Sequence, residues 1–306
     1  MRPLLPGLLA LLLVSCSSAG GVDPQGEAAG EGSGGSSGDA GAGGDGGSSA
    51  GQGGSGGGVN LGGQAGSSSK ECGDDTTAPA EVYAHSASTL FRIDAATKGV
   101  TTVGKFSGCG ADVIDIALDR EGKMIGTTFQ GLVRIDKTTA ACTIIQGGSY
   151  PNSLSFVPAG TIFPDKEALV GYKGATYVRI DPDSGATVTQ GSLGSGELQS
   201  SGDIVSVIGG GTYLTVNGGS CADCIVRVDP VTGALLENLG SINYPSVYGL
   251  AFWGGELYGF NSLGKVFVYD LTTKNSLAVT IPNAPPALSF YGAGSTTCAR
   301  LTKPIN

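Results

Sequence analysis

The sequence predicts an all-β domain assembled from five repeats of four strands, carried behind a long polar segment. Three observations carry that prediction. A strand-and-turn motif recurs five times at nearly constant spacing, no stretch shows a convincing 3.6-residue apolar period, and Gly and Pro punctuate the chain at strand intervals. Composition then limits the folding unit. The chain has 306 residues and 55 Gly; positions 17–70 hold 22 Gly, 11 Ser and 7 Ala, with only Val22, Val59 and Leu61 as larger aliphatics. That stretch cannot bury enough apolar surface to offset the entropy lost on ordering, so 16–70 reads as a disordered linker and 71–306 as the domain.

The chain opens with Arg2 and an apolar run over 4–14 that contains seven Leu. As a helix those residues reach only about 17 Å, too short for a ~30 Å hydrocarbon core, so the run reads as a secretory signal. No other apolar stretch approaches transmembrane length. The signal ends in Leu13-Val14-Ser15-Cys16, which resembles the lipobox of bacterial lipoproteins. That resemblance implies a signal peptide over 1–15 and a lipidated Cys16 at the head of the mature chain, whose acyl chains anchor it in a membrane. Ser17 stands where such families carry a retention Asp, which implies passage to the outer membrane or cell surface. The linker becomes a tether with an r.m.s. span of roughly 40 Å, taking ~5–6 Å × √n. Losing Arg2 with the signal takes the net charge from −9 to −10. An acidic chain does not seek anionic headgroups or nucleic acid, so the lipid must supply the membrane affinity.

The repeat has the form Leu-Phe-Arg-Ile-Asp at 90–94, Leu-Val-Arg-Ile-Asp at 132–136, Tyr-Val-Arg-Ile-Asp at 177–181, Ile-Val-Arg-Val-Asp at 225–229 and Val-Phe-Val-Tyr-Asp at 266–270. Thr or Ser follows three residues after every Asp. The Asp can accept backbone N–H groups of the turn that follows, and the hydroxyl can add a local bond, so recurrence favours turn-capping over metal binding or acid catalysis. Two further strands accompany each motif, at 114–118 and 123–128, 153–157 and 168–172, 203–207 and 213–216, and 249–253 and 256–260. Four strands in about 45 residues is the signature of a β-propeller blade, and the pattern resembles propeller domains generally. The first unit, at 81–85, 90–94 and 100–106, lacks an innermost strand. The C-terminal segment 287–291 is expected to supply it, closing a five-bladed ring. Arg92, Arg134, Arg179 and Arg227 recur within the motif and are expected to form salt bridges within or between blades.

Six cysteines remain besides Cys16, an even number that suits three disulfides in an exported chain. Cys72 and Cys298 flank the two chain ends that meet at the closing blade. Cys221 and Cys224 share an enlarged loop and are expected to pair locally, which leaves Cys109 for Cys142. The Cys-x-x-Cys reads as structural, since a redox or zinc site would need a helix N-terminus or a second Cys pair.

Aligning the innermost strands places Asp115, Ser153, Asp203, Gly249 and Ala287 near the channel axis. The preceding loops bring Asp112, Tyr150, Asn152, Tyr244 and Ser246, and the hairpins on the same end bring His85, Phe129, Tyr172, Lys173 and Asn261. Asp115, Asp203, Asn152, Tyr150 and Tyr244 are the candidate ligand site at the channel mouth. The two Asp could hold Ca²⁺ with loop carbonyls, or bond backbone N–H groups at the rim, the reading we favour. No other cofactor is expected. His85 is the single histidine, which removes most His-based catalysis and metal binding, and it reads as a loop residue. The function that follows is non-catalytic binding of an envelope protein or glycan by a monomeric propeller. The alternative is a glycan hydrolase or lyase working through the channel-mouth carboxylates, as five-bladed propellers include paired-carboxylate glycosidases.

Overall fold

The computed structural model describes residues 81–303. The expected signal peptide at 1–15, Cys16, the expected linker to residue 70 and Cys72 lie outside the described residues. The chain forms a five-bladed β-propeller, each blade a four-stranded antiparallel sheet. Blade one contains β1 (Val82–His85), β2 (Thr89–Ile93) and β3 (Val100–Lys105). Blade two runs from the axis outward as β4 (Val113–Leu118), β5 (Met124–Thr128), β6 (Gly131–Ile135) and β7 (Cys142–Gly147). Blade three is β8 (Ser153–Val157), β9 (Ala168–Lys173), β10 (Thr176–Ile180) and β11 (Thr187–Ser192). Blade four has the longest strands, β12 (Gln199–Val207), β13 (Gly211–Gly218), β14 (Cys221–Val228) and β15 (Leu235–Ser241). Blade five is β16 (Val247–Trp253), β17 (Glu256–Asn261), β18 (Val266–Asp270) and β19 (Asn275–Val279), and β20 (Gly292–Ser295) returns to pair with β1.

The closing strand therefore differs from the expected 287–291. That segment has no ladder, and Ala287 sits at a φ of 54°. Its apolar alternation serves packing instead: Phe290 is fully buried, edge-on to Phe91 and Phe260 between blades one and five. The true strand reads Gly-Ala-Gly-Ser because the axis has no room for larger groups. A Cβ on Gly292 would lie 2.3 Å from His85 Nε2 and 2.6 Å from Asp115 Oδ1, and one on Gly294 would lie 2.8 Å from the Ile116 carbonyl oxygen. A strand made of small residues carries no period for a sequence pattern to detect.

The core is divided into five clusters, each between two neighbouring blades. Strands buried on both faces, such as Ser-Leu-Ser-Phe-Val in β8, explain why inner strands read as largely apolar runs rather than clean alternations. Large aromatics span the seams. Tyr172 and Tyr177, both of blade three, are fully buried and reach blade four with their hydroxyls, to the carbonyls of Gly233 at 2.6 Å and Pro230 at 2.9 Å.

Every motif Asp closes its turn as expected. One carboxylate oxygen accepts the N–H groups two and three residues on, at 3.0 and 2.9 Å for Asp94, 2.8 and 3.1 Å for Asp136, and 3.1 and 2.8 Å for Asp181. Asp229 and Asp270 repeat the pattern at 2.7 and 3.0 Å and at 2.8 and 3.0 Å. The residue four after each Asp takes a left-handed φ, and its N–H returns to the Asp carbonyl. Gly185 and Gly233 meet that demand without a side chain; Lys98, Ala140 and Lys274 meet it at a steric cost. The recurrent arginines diverge. Arg134 pairs with Asp183 of the next blade at 3.0 Å and Arg227 with Glu237 at 3.5 Å, while Arg179 lies over the Phe163 ring.

Cys109 and Cys142 are joined, with Cα atoms 4.8 Å apart, as are Cys221 and Cys224 at 5.7 Å. Cys221 and Cys224 sit within β14 rather than in a loop, because the β13–β14 hairpin extends past a bulge at Val216–Gly218. Cys298 is buried and disulfide-bonded.

Candidate functional site

The ring aligns five residues about its axis: Asp115, Ser153, Asp203 and Gly249, as expected, and Gly292 in place of Ala287. Asp115 and Asp203 are completely buried. Asp115 Oδ1 accepts the N–H of Ile116 at 2.8 Å, and Oδ2 accepts that of Leu154 in blade three at 2.7 Å. Asp203 Oδ1 accepts Ile204 N–H at 2.7 Å, and Oδ2 accepts Leu250 N–H in blade five at 2.6 Å. Asp203 also receives the N–H of Ala293 in blade one, and the two carboxyls hydrogen-bond to each other. The pair thereby ties the innermost strands of all five blades together. Burial pushes both carboxyls well above the usual carboxylate range, and the neighbouring Asp203 adds to this for Asp115.

His85 is not in a loop. It ends β1, pairs with Gly292, and is fully buried beside the carboxyl pair. Its Nδ1 donates to the Ser86 carbonyl at 2.9 Å, which leaves Nε2 as the bare acceptor, and Nε2 has no hydrogen-bond partner. Burial pushes its pKa down to about 4, so the ring is neutral at physiological pH. Among the described residues no group of three or more His, Cys, Asp or Glu is arranged to hold a metal ion. The carboxylate oxygens already face N–H donors, which leaves the Ca²⁺ reading without a cage.

Directly above this layer opens a bowl of about 420 Å³, lined by Ala87, Asp112, Val113, Ile114, Phe129, Asn152, Ser201, Gly202, Tyr248 and Tyr291. Its construction follows from the repeat. The residues immediately before the five axis positions, Ile114, Asn152, Gly202, Tyr248 and Tyr291, all line it, so every blade contributes one. In blades two, four and five the register of the two inner strands shifts at this point, between Val113 and Asp115, Ser200 and Ile204, and Val247 and Gly249. The bulges turn Ile114, Gly202 and Tyr248 out of the ladder and towards the mouth. Phe129 reaches the bowl from the tip of the β5–β6 hairpin and is 75 % exposed; Tyr291 is 42 % exposed. The Tyr248 and Tyr291 rings stack, with centroids 6.2 Å apart and planes 28° from parallel.

Of the predicted channel-mouth residues, Asn152 lines the bowl and Asp115 and Asp203 lie beneath it. Tyr150 and Tyr244 are placed elsewhere. Tyr150 donates to the Gly185 carbonyl at 2.8 Å across the seam of blades two and three, and Tyr244 stacks on Phe267 at 4.5 Å in the core of blades four and five. Loop aromatics in a propeller can serve the seams as readily as the mouth, and their sequence position does not say which. Tyr248 and Tyr291, which sequence reasoning missed, had one usable signal: each directly precedes a glycine at an axis position. Lys173 stays outside the bowl, bonded to Ser149 at 3.1 Å, while Tyr172 packs in a seam and Asn261 caps its own hairpin.

The fold and site define a five-bladed propeller with an aromatic bowl at one end and a hydrogen-bonded carboxyl pair sealed beneath it. No family model matches the chain, and no curated protein sequence matches it. Among solved structures it is similar to BamB from Moraxella catarrhalis, at 16 % identity and a TM-score of 0.33, covering 64 % of this chain and 59 % of that one. It is also similar to a protein of unknown function from Bacteroides caccae, at 12 % identity and a TM-score of 0.41, covering 71 % and 98 %. A third is a structural genomics protein of unknown function from Bacteroides thetaiotaomicron, at 14 % identity and 0.41, covering 58 % and 53 %. The chain spans under two thirds of the length of the Moraxella and B. thetaiotaomicron chains. Likenesses this distant carry nothing about ligand or partner.

Proposed function

We propose that the chain is an envelope lipoprotein whose propeller binds a partner or glycan without catalysis, held off the membrane by the 16–70 tether and anchored at the outer membrane or cell surface through Cys16. The observation that carries the binding reading is the division between bowl and floor. The floor carboxyls are sealed and satisfied, whereas the bowl presents solvent-exposed aromatics from a rigid ring. A hydrolase or lyase of the paired-carboxylate kind needs an acid and a base apart from each other with substrate between them. Here the two acids touch one another and neither reaches the bowl surface. Disulfides within the ring agree with an extracytoplasmic setting.

The test uses the full chain. Affinity capture from envelope extract is expected to recover a partner or glycan, and Tyr291→Ala with Phe129→Ala to abolish recovery while leaving the melting temperature unchanged. Recovery unaffected by these variants would move the site off the bowl. For the anchor, Cys16→Ser is expected to shift the chain from the membrane to the soluble fraction; retention in the membrane overturns lipidation there.

A further inference from the structure

We infer that the bowl seats a non-anionic pyranose unit of an oligosaccharide, stacked by its C–H face on the bowl's aromatic rings and held at its edge by Asp112 and Asn152. This rests on the binding reading above and narrows it to one ligand chemistry. A pyranose is amphipathic in a particular way: one face is a plate of C–H bonds, and the rim carries hydroxyls that both donate and accept. Three features of the bowl match it. Tyr248 and Tyr291, with ring centroids 6.2 Å apart, both line the bowl, and Phe129 adds a further exposed ring at the hairpin tip. The negative faces of such rings attract polarised C–H groups, and the contact also removes apolar area from water. The polar lining supplies the Asp112 carboxylate as an acceptor and the Asn152 amide, which both donates and accepts, groups that suit a rim of hydroxyls.

Charge and size exclude the competing occupants. No Lys or Arg is among the lining residues, Asp112 is exposed at the rim, and the chain carries −9 overall, so a phosphate, uronate or sulfate would enter against the field. A bowl of about 420 Å³ falls within the range of small-ligand pockets. A folded protein needs roughly 800 Å² of matching surface per partner, which a concavity of this size does not provide by itself. Because the ring is tied at its axis through every blade, the platform is pre-formed, and binding orders little besides the ligand.

The test is calorimetric titration of the full chain with N-acetylchitotetraose, maltotetraose and cellotetraose as neutral probes, the tetramer of glucosamine as a cationic one, and tetragalacturonate as an anionic control. At least one neutral or cationic probe is expected to bind, and tetragalacturonate is not. Tyr291→Ala and Phe129→Ala are each expected to weaken binding roughly three- to tenfold with an unchanged melting temperature. Asp112→Asn is expected to weaken the glucosamine tetramer more than the neutral probes. Failure of all four non-anionic probes, while extract capture remains sensitive to Tyr291→Ala, overturns the carbohydrate inference and leaves the bowl as a site for another partner. Failure of both overturns the bowl as well. Preferential binding of tetragalacturonate overturns the charge argument and the inference with it.

Discussion

The two ends of the ring are built from the same repeat and use their polar groups in opposite ways. At one end, five turns spend each Asp on N–H groups two and three residues away, so the chemistry of these carboxylates closes locally. At the other, register shifts in three blades push residues of the inner strand out of the ladder, one in blades two and five and three in blade four, and the loops between blades vary in length and composition. The comparison teaches where freedom lies in a repeat fold. Positions bound by local backbone geometry are repeated, and those facing the shared axis are free to diverge.

The predictions order themselves by how deeply each position is committed to the ring. Asp203→Ala should cost most. It strands the N–H groups of Ile204, Leu250 and Ala293 in the buried axis, at about 1–3 kcal/mol each. Chemical denaturation should show a large fall in midpoint, partly restored in Asp203→Asn; an unchanged midpoint would show that the pair does not hold the blades. At the turn end, Gly233→Ala places a methyl 2.4 Å from the Tyr177 ring at a φ of +70°, and a loss of roughly 2–4 kcal/mol is expected.

Acid separates the axis from the turns. His85 is neutral and buried with its pKa lowered to about 4, so the stability it contributes is present above its unfolded value and is lost as pH falls through about 4. The expected loss is about 3 kcal/mol, and His85→Gln should flatten denaturation midpoints between pH 6.5 and 4. The carboxyl pair acts with the opposite sign. Its raised values give stability that is complete below the unfolded carboxyl pKa and declines as pH rises through the folded one, so Asp115→Asn should lessen the alkaline decline. A steeper acid loss in His85→Gln than in the parent would refute the assignment. Exposed turn residues should matter less: Asp181→Ala is expected to cost only roughly 0.5–1 kcal/mol, as water replaces part of what it loses. Phe129→Ser should leave thermal stability within about 0.5 kcal/mol of the parent while weakening capture, which sets the bowl apart from every position above.

The repeat made much of this legible. Five Asp turns, the four-strand unit and two disulfide pairings could all be read from spacing, because each is a local event or a consequence of ring closure. The errors share one cause. Residues 287–291 look like a strand by apolar alternation, yet Phe290 uses that pattern to fill a seam, and the real strand is Gly-Ala-Gly-Ser. Tyr150 and Tyr244 look like mouth residues by loop position, yet each bridges neighbouring blades. His85 lay one residue from a turn, and whether it faced water or the axis depended on the strand that closes the ring from the other end of the chain.

By itself the sequence determined the repeating four-strand unit, the number of blades and the chemistry of the turns, since the unit and its turns follow from contacts within about 45 residues. The tertiary structure alone decided that Asp115 and Asp203 meet at the buried axis, that His85 is sealed beside them, and that Tyr248, Tyr291 and Phe129 converge above. Those groups come from different blades, and only closure of the ring brings them within reach of one another.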